Sequence, residues 1–163
     1  MCNADSVILS LLAYAVSKKN ITLDNDKDWE IVFHESVQQG VSGVLIDGIQ
    51  SYMTDNPTYK IFSNMSTTDK QKRMQWLGQV IMYERLYAKH EKAMADLARR
   101  YATMDIRMMV IKGYGLSLDW PVPNHRPVGD LDIYHFGKWH EADALVAKEY
   151  GIKVDEEHEH HTI

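Results

Sequence analysis

Apolar residues recur at helical spacing through the first two-thirds of the chain and then give way to shorter, denser runs. Val7, Ile8, Leu11, Leu12 and Ala15 form one stripe, which predicts a first helix ending near Ser17, before the polar run from Lys18 to Asp28. Trp29, Val32, Phe33 and Val37 predict a second, with Asp26 and Asp28 near its positive N-terminal end and Gly40 placed to stop it. Val44, Leu45, Ile49 and Tyr52 predict a third, shorter helix closed by Asn56-Pro57. After Thr68, which has the spacing of a capping box with Gln71, the positions Trp76, Val80, Tyr83, Tyr87, Met94, Leu97 and Tyr101 keep to one face. At 3.6 residues per turn that face holds for about nine turns, enough to brace the molecule. Its Trp and Tyr members are assigned to the core rather than to base stacking, because a repeating face is what packing against shorter helices requires.

The pattern switches near residue 106. Residues 106–111 are almost continuously apolar and read as a buried strand stopping at Lys112-Gly113. An irregular stretch follows, in which Pro121, Pro123 and Pro127 fix φ, remove N–H donors and exclude a regular helix. Asp130-Leu131-Asp132-Ile133-Tyr134 alternates, which predicts a strand with both aspartates on one face. Trp139, Ala142, Leu145 and Val146 predict a last helix capped by Gly151, and residues 152–154 the start of a third strand.

Composition narrows the function classes. The chain has 163 residues and a formal net charge of −5, which disfavours a surface built to grip a nucleic-acid backbone; a nucleic-acid partner is possible but not indicated by charge. Cys2 is the only cysteine, so no internal disulfide forms and a reducing, cytoplasmic setting fits. The apolar stretch from Val7 to Val16 is too short for a bilayer, and no membrane partner is expected.

Two carboxylates at i and i+2 on a strand repel each other, and a divalent cation relieves that repulsion. Mg²⁺ suits them, since it takes oxygen ligands, keeps waters and is commonly completed by substrate phosphates. The bland alternative is a solvated strand face. The context adds Lys112 as a point charge for phosphate, Gly113 as a place where backbone N–H groups approach an anion, and Arg126 as a bidentate phosphate contact.

Val110-Ile111-Lys112-Gly113 and Arg126-Pro127-Val128-Gly129-Asp130-Leu131-Asp132-Ile133-Tyr134 together resemble the nucleotidyltransferase superfamily related to DNA polymerase β. The closer likeness is to its bacterial branch of uncharacterised nucleotidyltransferases with a "Leu-Lys-Gly … Arg-x-x-Gly-Asp-Leu-Asp-Leu" signature, Ile111 standing for the Leu. The resemblance covers residues 106–163 and is sharpest over 110–134. It implies transfer of a nucleoside monophosphate from an NTP to an unknown acceptor, with Asp130 and Asp132 as catalytic metal ligands for Mg²⁺. Lys112 and Gly113 would approach the triphosphate, and Arg126 would serve the triphosphate or fix the loop. The expected fold is α+β: a helical region, residues 1–104, followed by a small mixed-sheet nucleotidyltransferase-like α/β core, residues 105–163, incomplete at the C-terminus.

Some positions depart from the signature. Tyr114 stands where the superfamily has a small residue, often Ser, and the loop from Gly113 to Asp130 is long. The superfamily's third carboxylate is either Asp155 or a residue past Ile163; the second reading is favoured and makes the chain a fragment. His158, His160 and His161 sit among Glu156, Glu157 and Glu159, a solvated segment rather than a zinc site. The alternatives to a working transferase are a catalytically silent nucleotide-sensing or partner-binding module, suggested by Tyr114 and the missing acid, and a helical interaction domain carried by residues 5–104.

Overall fold

A computed structural model describes residues 4–23, 28–59 and 67–151. The expectations for Cys2, Asp26, the strand at 152–154, Asp155 and the clustered histidines lie outside what it describes, as does the side chain on which the Thr68 cap depends. The elements run α1 (Ala4–Ser17), α2 (Trp29–Gln38), α3 (Ser42–Asp55), α4 (Thr67–Ala102), β1 (Met109–Ile111), α5 (Lys112–Ser117), a 3-10 turn (Pro123–His125), β2 (Asp132–Tyr134) and α6 (Trp139–Tyr150). The class is α+β. Among the described residues the sheet is an antiparallel pair, β1 against β2, where a mixed sheet was expected.

The helices follow their stripes. Asp28 caps α2, its carboxylate accepting from the N–H groups of Glu30 and Ile31, and Gly40 leaves the helix at φ 68°. α3 corrects the expectation of a shorter helix: at 14 residues it outruns the 10-residue α2, and Val44, Leu45, Ile46, Ile49 and Tyr52 are buried along it. α4 runs 36 residues, about ten turns. Trp76, Val80, Tyr83, Tyr87, Met94 and Tyr101 are all buried along it, as the core assignment required. Gly151 ends α6 in the left-handed region at φ 65°, its N–H bonded to the Ala147 carbonyl at 3.0 Å.

The chain forms two compact units, and α4 supplies core residues to each. The first comprises Met1–Lys89 and Leu116–Gly129. Its core gathers Val7, Ile8 and Leu11 of α1, Val32 of α2, Leu45 and Ile49 of α3, and Trp76 and Val80 of α4. α1 and α3 approach closely at Gly48, where a Cβ would stand 2.5 Å from the Leu11 carbonyl oxygen. The second comprises His90–Gly115 and Asp130–Ile163. Tyr101, Ile106, Ala142 and Val146 form its core, with Leu97, Met108 and Leu145 packed around them.

The β region is shorter than its sequence suggested. The expected buried strand at 106–111 is a three-residue β1 with Met109 exposed; Ile106 is buried, but in the loop that leads to the strand. Lys112, at φ 51°, turns the chain from β1 directly into α5, so the segment after it is partly helical rather than irregular. That turn also limits β2. The ladder ends at the pair Ile111↔Asp132, so among the described residues no strand lies opposite Asp130 and Leu131, which precede β2. The alternation argument therefore holds from Asp132 onward and does not reach Asp130.

Candidate functional site

Four of the five expected site residues fall in the second unit. Asp132 opens β2, and Asp130 lies two residues upstream with an exposed side chain. Across the ribbon, Lys112 follows Ile111, the partner of Asp132, and its Nζ donates to Asp132 Oδ1 at 3.3 Å. The two side chains are 69% and 37% exposed, so both remain reachable by a ligand. A left-handed φ is uncommon for a residue with a Cβ, and here it sets Lys112 at the corner between strand and helix. Gly113 follows on the first turn of α5, half-buried. Within α5 the backbone is tight: a Cβ on Gly115 would stand 2.7 Å from the Val110 carbonyl oxygen.

Tyr114, in the position where the resemblance expects a small residue, donates its hydroxyl to Glu91 Oε1 of α4 at 3.3 Å. Arg126 lies in the first unit. It caps the 3-10 turn, and its guanidinium stands 5.3 Å from the ring centroid of Trp120.

The site is open and oxygen-rich on the Asp side, and the ammonium of Lys112 is already drawn to the Asp132 carboxylate. Among the described residues no group of three His, Cys, Asp or Glu side chains is arranged to hold a metal ion. Asp130 and Asp132 offer the oxygen donors that Mg²⁺ takes, since it binds through one or two carboxylates and leaves its other positions to water and phosphate.

The sequence reading missed a second charged cluster, in the first unit. His125 Nδ1 lies 2.8 Å from Asp47 Oδ1 and Nε2 lies 3.1 Å from Glu84 Oε1, with His125 and Asp47 only 15% and 13% exposed. The hydrogen bond to Asp47 raises the His125 pKa, reinforced by the charges of Asp47 and Glu84 and opposed by burial. Gly43 makes room for this segment, since a Cβ there would lie 2.0 Å from the His125 carbonyl oxygen. The one sequence signal was Asp47 itself, a carboxylate inside the apolar run Val44-Leu45-Ile46-Asp47-Gly48-Ile49.

The profile of a family described as uncharacterised nucleotidyltransferase matches residues 25–163. The chain belongs to that family. Comparisons with curated proteins and with solved structures return no match. The match to the uncharacterised nucleotidyltransferases starts ahead of α2, well before the motif at 110–134, so α2, α3 and α4 fall within the matched span as the ribbon does, while α1 precedes it. A nucleotide substrate is what membership of this nucleotidyltransferase family implies. Among the described residues no helix is long and apolar enough to cross a membrane.

Proposed function

We propose that this nucleotidyltransferase moves a nucleoside monophosphate from an NTP to an acceptor, as part of the bacterial branch of the DNA polymerase β-like superfamily and in the cytoplasm. The helical region, residues 1–104, is the scaffold in this reading, and residues 105–163 carry the chemistry. The observation that carries it is the Lys112–Asp132 contact beside Asp130, in a chain of this family. Asp130 and Asp132 would hold Mg²⁺, which when bound supplies charge neutralisation at the phosphates. Lys112, 3.3 Å from Asp132, would move its ammonium onto a phosphate oxygen when the triphosphate arrives. Gly113 lets the backbone approach the same phosphates without a side chain between them. Arg126 joins the proposal on the signature alone.

Calorimetric titration with ATP, CTP, GTP and UTP in the presence of Mg²⁺ tests the reading. The expected result is binding by the wild-type protein that disappears in Asp130→Asn with Asp132→Asn. Wild-type protein that binds none of the four, or a double variant that binds as well as wild type, would overturn it.

One observation favours a second reading, a silent nucleotide-sensing module: the hydroxyl of Tyr114 is spent on Glu91. Such a protein binds Mg-NTP and never releases pyrophosphate. Pyrophosphate release with any acceptor rules that reading out.

A further inference from the structure

The ribbon that presents Asp132 continues into a surface of exposed rings. Antiparallel pairing sets Ile111 opposite Asp132 and Met109 opposite Tyr134. Opposed residues share a face, and residues two apart on a strand return to it. Asp132, Tyr134, Ile111 and Met109 are therefore on one side of the ribbon, with Tyr134 51% and Met109 47% exposed. Phe136 follows in a turn at φ 52°, and its ring meets that of Tyr134 at 4.9 Å with planes at 63°, so it lies beside Tyr134. It too is 44% exposed. Arg107, which precedes β1, stands with its Cζ 4.8 Å from the Phe136 ring centroid.

The core of this unit is formed by Tyr101, Ile106, Ala142 and Val146, not by these rings. Tyr134 and Phe136 stay outside, next to a carboxylate that would hold a metal. Two strand residues span roughly 7 Å, which sets Tyr134 one short step along the face from Asp132. A group bound here presents a flat, uncharged, polarisable surface to the rings and tolerates the guanidinium that stands over the Phe136 ring. A nucleobase has those properties, and every base has a π-face. The protein's net charge of −5 argues against a long nucleic-acid strand as the source of that base.

We infer that Tyr134 and Phe136, backed by Arg107, are the stacking platform for the base of the NTP. The inference rests on the assignment of the triphosphate to Asp130 and Asp132. Stacking reads the π-face rather than the hydrogen-bonding edge, so the platform accepts all four bases and holds purines more tightly than pyrimidines.

Titration of the full chain with Mg-ATP and with Mg-tripolyphosphate, which has the phosphates and no base, tests it. Wild-type protein is expected to bind Mg-ATP about tenfold more tightly than Mg-tripolyphosphate. Tyr134→Leu with Phe136→Leu, which keeps apolar bulk at two exposed positions, is expected to bring Mg-ATP down to the tripolyphosphate level while leaving tripolyphosphate binding unchanged. Tyr134→Phe with Phe136→Tyr should retain the wild-type preference. Equal binding of the two ligands by wild type, or an unchanged preference in the leucine double variant, overturns the platform and leaves the metal and triphosphate assignment intact. Absence of binding by both ligands overturns that assignment and the platform with it.

Discussion

Asp47 holds His125 from one side, its two carboxylate oxygens 2.8 and 3.0 Å from Nδ1, while Glu84 meets Nε2 at 3.1 Å from the other. With an acceptor at each nitrogen, the imidazolium is the form that satisfies both, since it alone donates twice. The folded-state pKa is raised, so the charged histidine stabilises the first unit fully below the unfolded value of about 6.5. That stabilisation is lost as pH rises through the folded pKa. His125→Gln should therefore cost about 2 kcal/mol at pH 5.5 and less at pH 8.5, in urea titrations of both proteins. A cost that does not change with pH would show that the cation is not what the two carboxylates hold.

Two helical glycines separate close packing from helix propensity. A Cβ at Gly43 would collide with the His125 carbonyl oxygen at 2.0 Å, whereas one at Gly78 meets nothing within 4 Å. Gly78→Ala should stabilise the protein by about 0.5–1 kcal/mol through helix propensity alone. Gly43→Ala should destabilise it by about 1–3 kcal/mol despite the same gain, because the segment carrying His125 must shift. Chemical denaturation of the two variants decides; the same sign for both would mean that the turn at His125 gives way freely.

Periodicity made the helices legible. A face of seven positions along α4 and a glycine after α6 are signals carried by consecutive residues, and each appears where it was expected. The β region was harder, because strand length depends on what lies opposite. Residues 106–111 look like a strand, yet Lys112 turns away after Ile111 and leaves Asp130 outside the β1–β2 ladder. α5 was hidden by Gly113 and Gly115, which argue against a helix by propensity, although Gly115 sits where the backbone crowds Val110. Of the candidate site, the types and order of Lys112, Gly113, Asp130 and Asp132 could be read. The Lys112–Asp132 pair, and the Asp47–His125–Glu84 cluster joining residues up to 78 positions apart, could not, because each depends on tertiary contact alone.

His135 gives the second unit the opposite pH response. Its ring packs edge-on against Tyr101 at 5.2 Å, and its buried Nε2 has no hydrogen-bond partner among the described residues. Burial lowers its pKa, an effect that the charge of Asp143 only partly offsets. The unfolded chain then takes up the proton first, so stability is full above about pH 6.5 and falls as pH drops below it towards the folded value. Amide hydrogen exchange in α6 should accelerate, relative to its intrinsic rate, between pH 7.5 and 5.5, and His135→Phe should flatten the change. Equal protection at both pH values in the wild-type protein would show that His135 accepts a proton in place.

Lys112 offers a test in which stability and binding part company. Its pair with Asp132 is long, at 3.3 Å, and its side chain is 69% exposed, so the attraction is screened and contributes between about 0 and 1 kcal/mol to folding. The same exposure leaves the ammonium available to a phosphate, where a charge-assisted hydrogen bond is about twice as strong as a neutral one. Lys112→Ala should therefore leave the melting temperature nearly unchanged and weaken Mg-tripolyphosphate binding about tenfold, a loss of about 1.4 kcal/mol. Lys112→Arg, which keeps the charge, should recover most of that loss. A variant that melts several degrees lower yet binds tripolyphosphate normally would make Lys112 a structural partner of Asp132 and remove it from the triphosphate site.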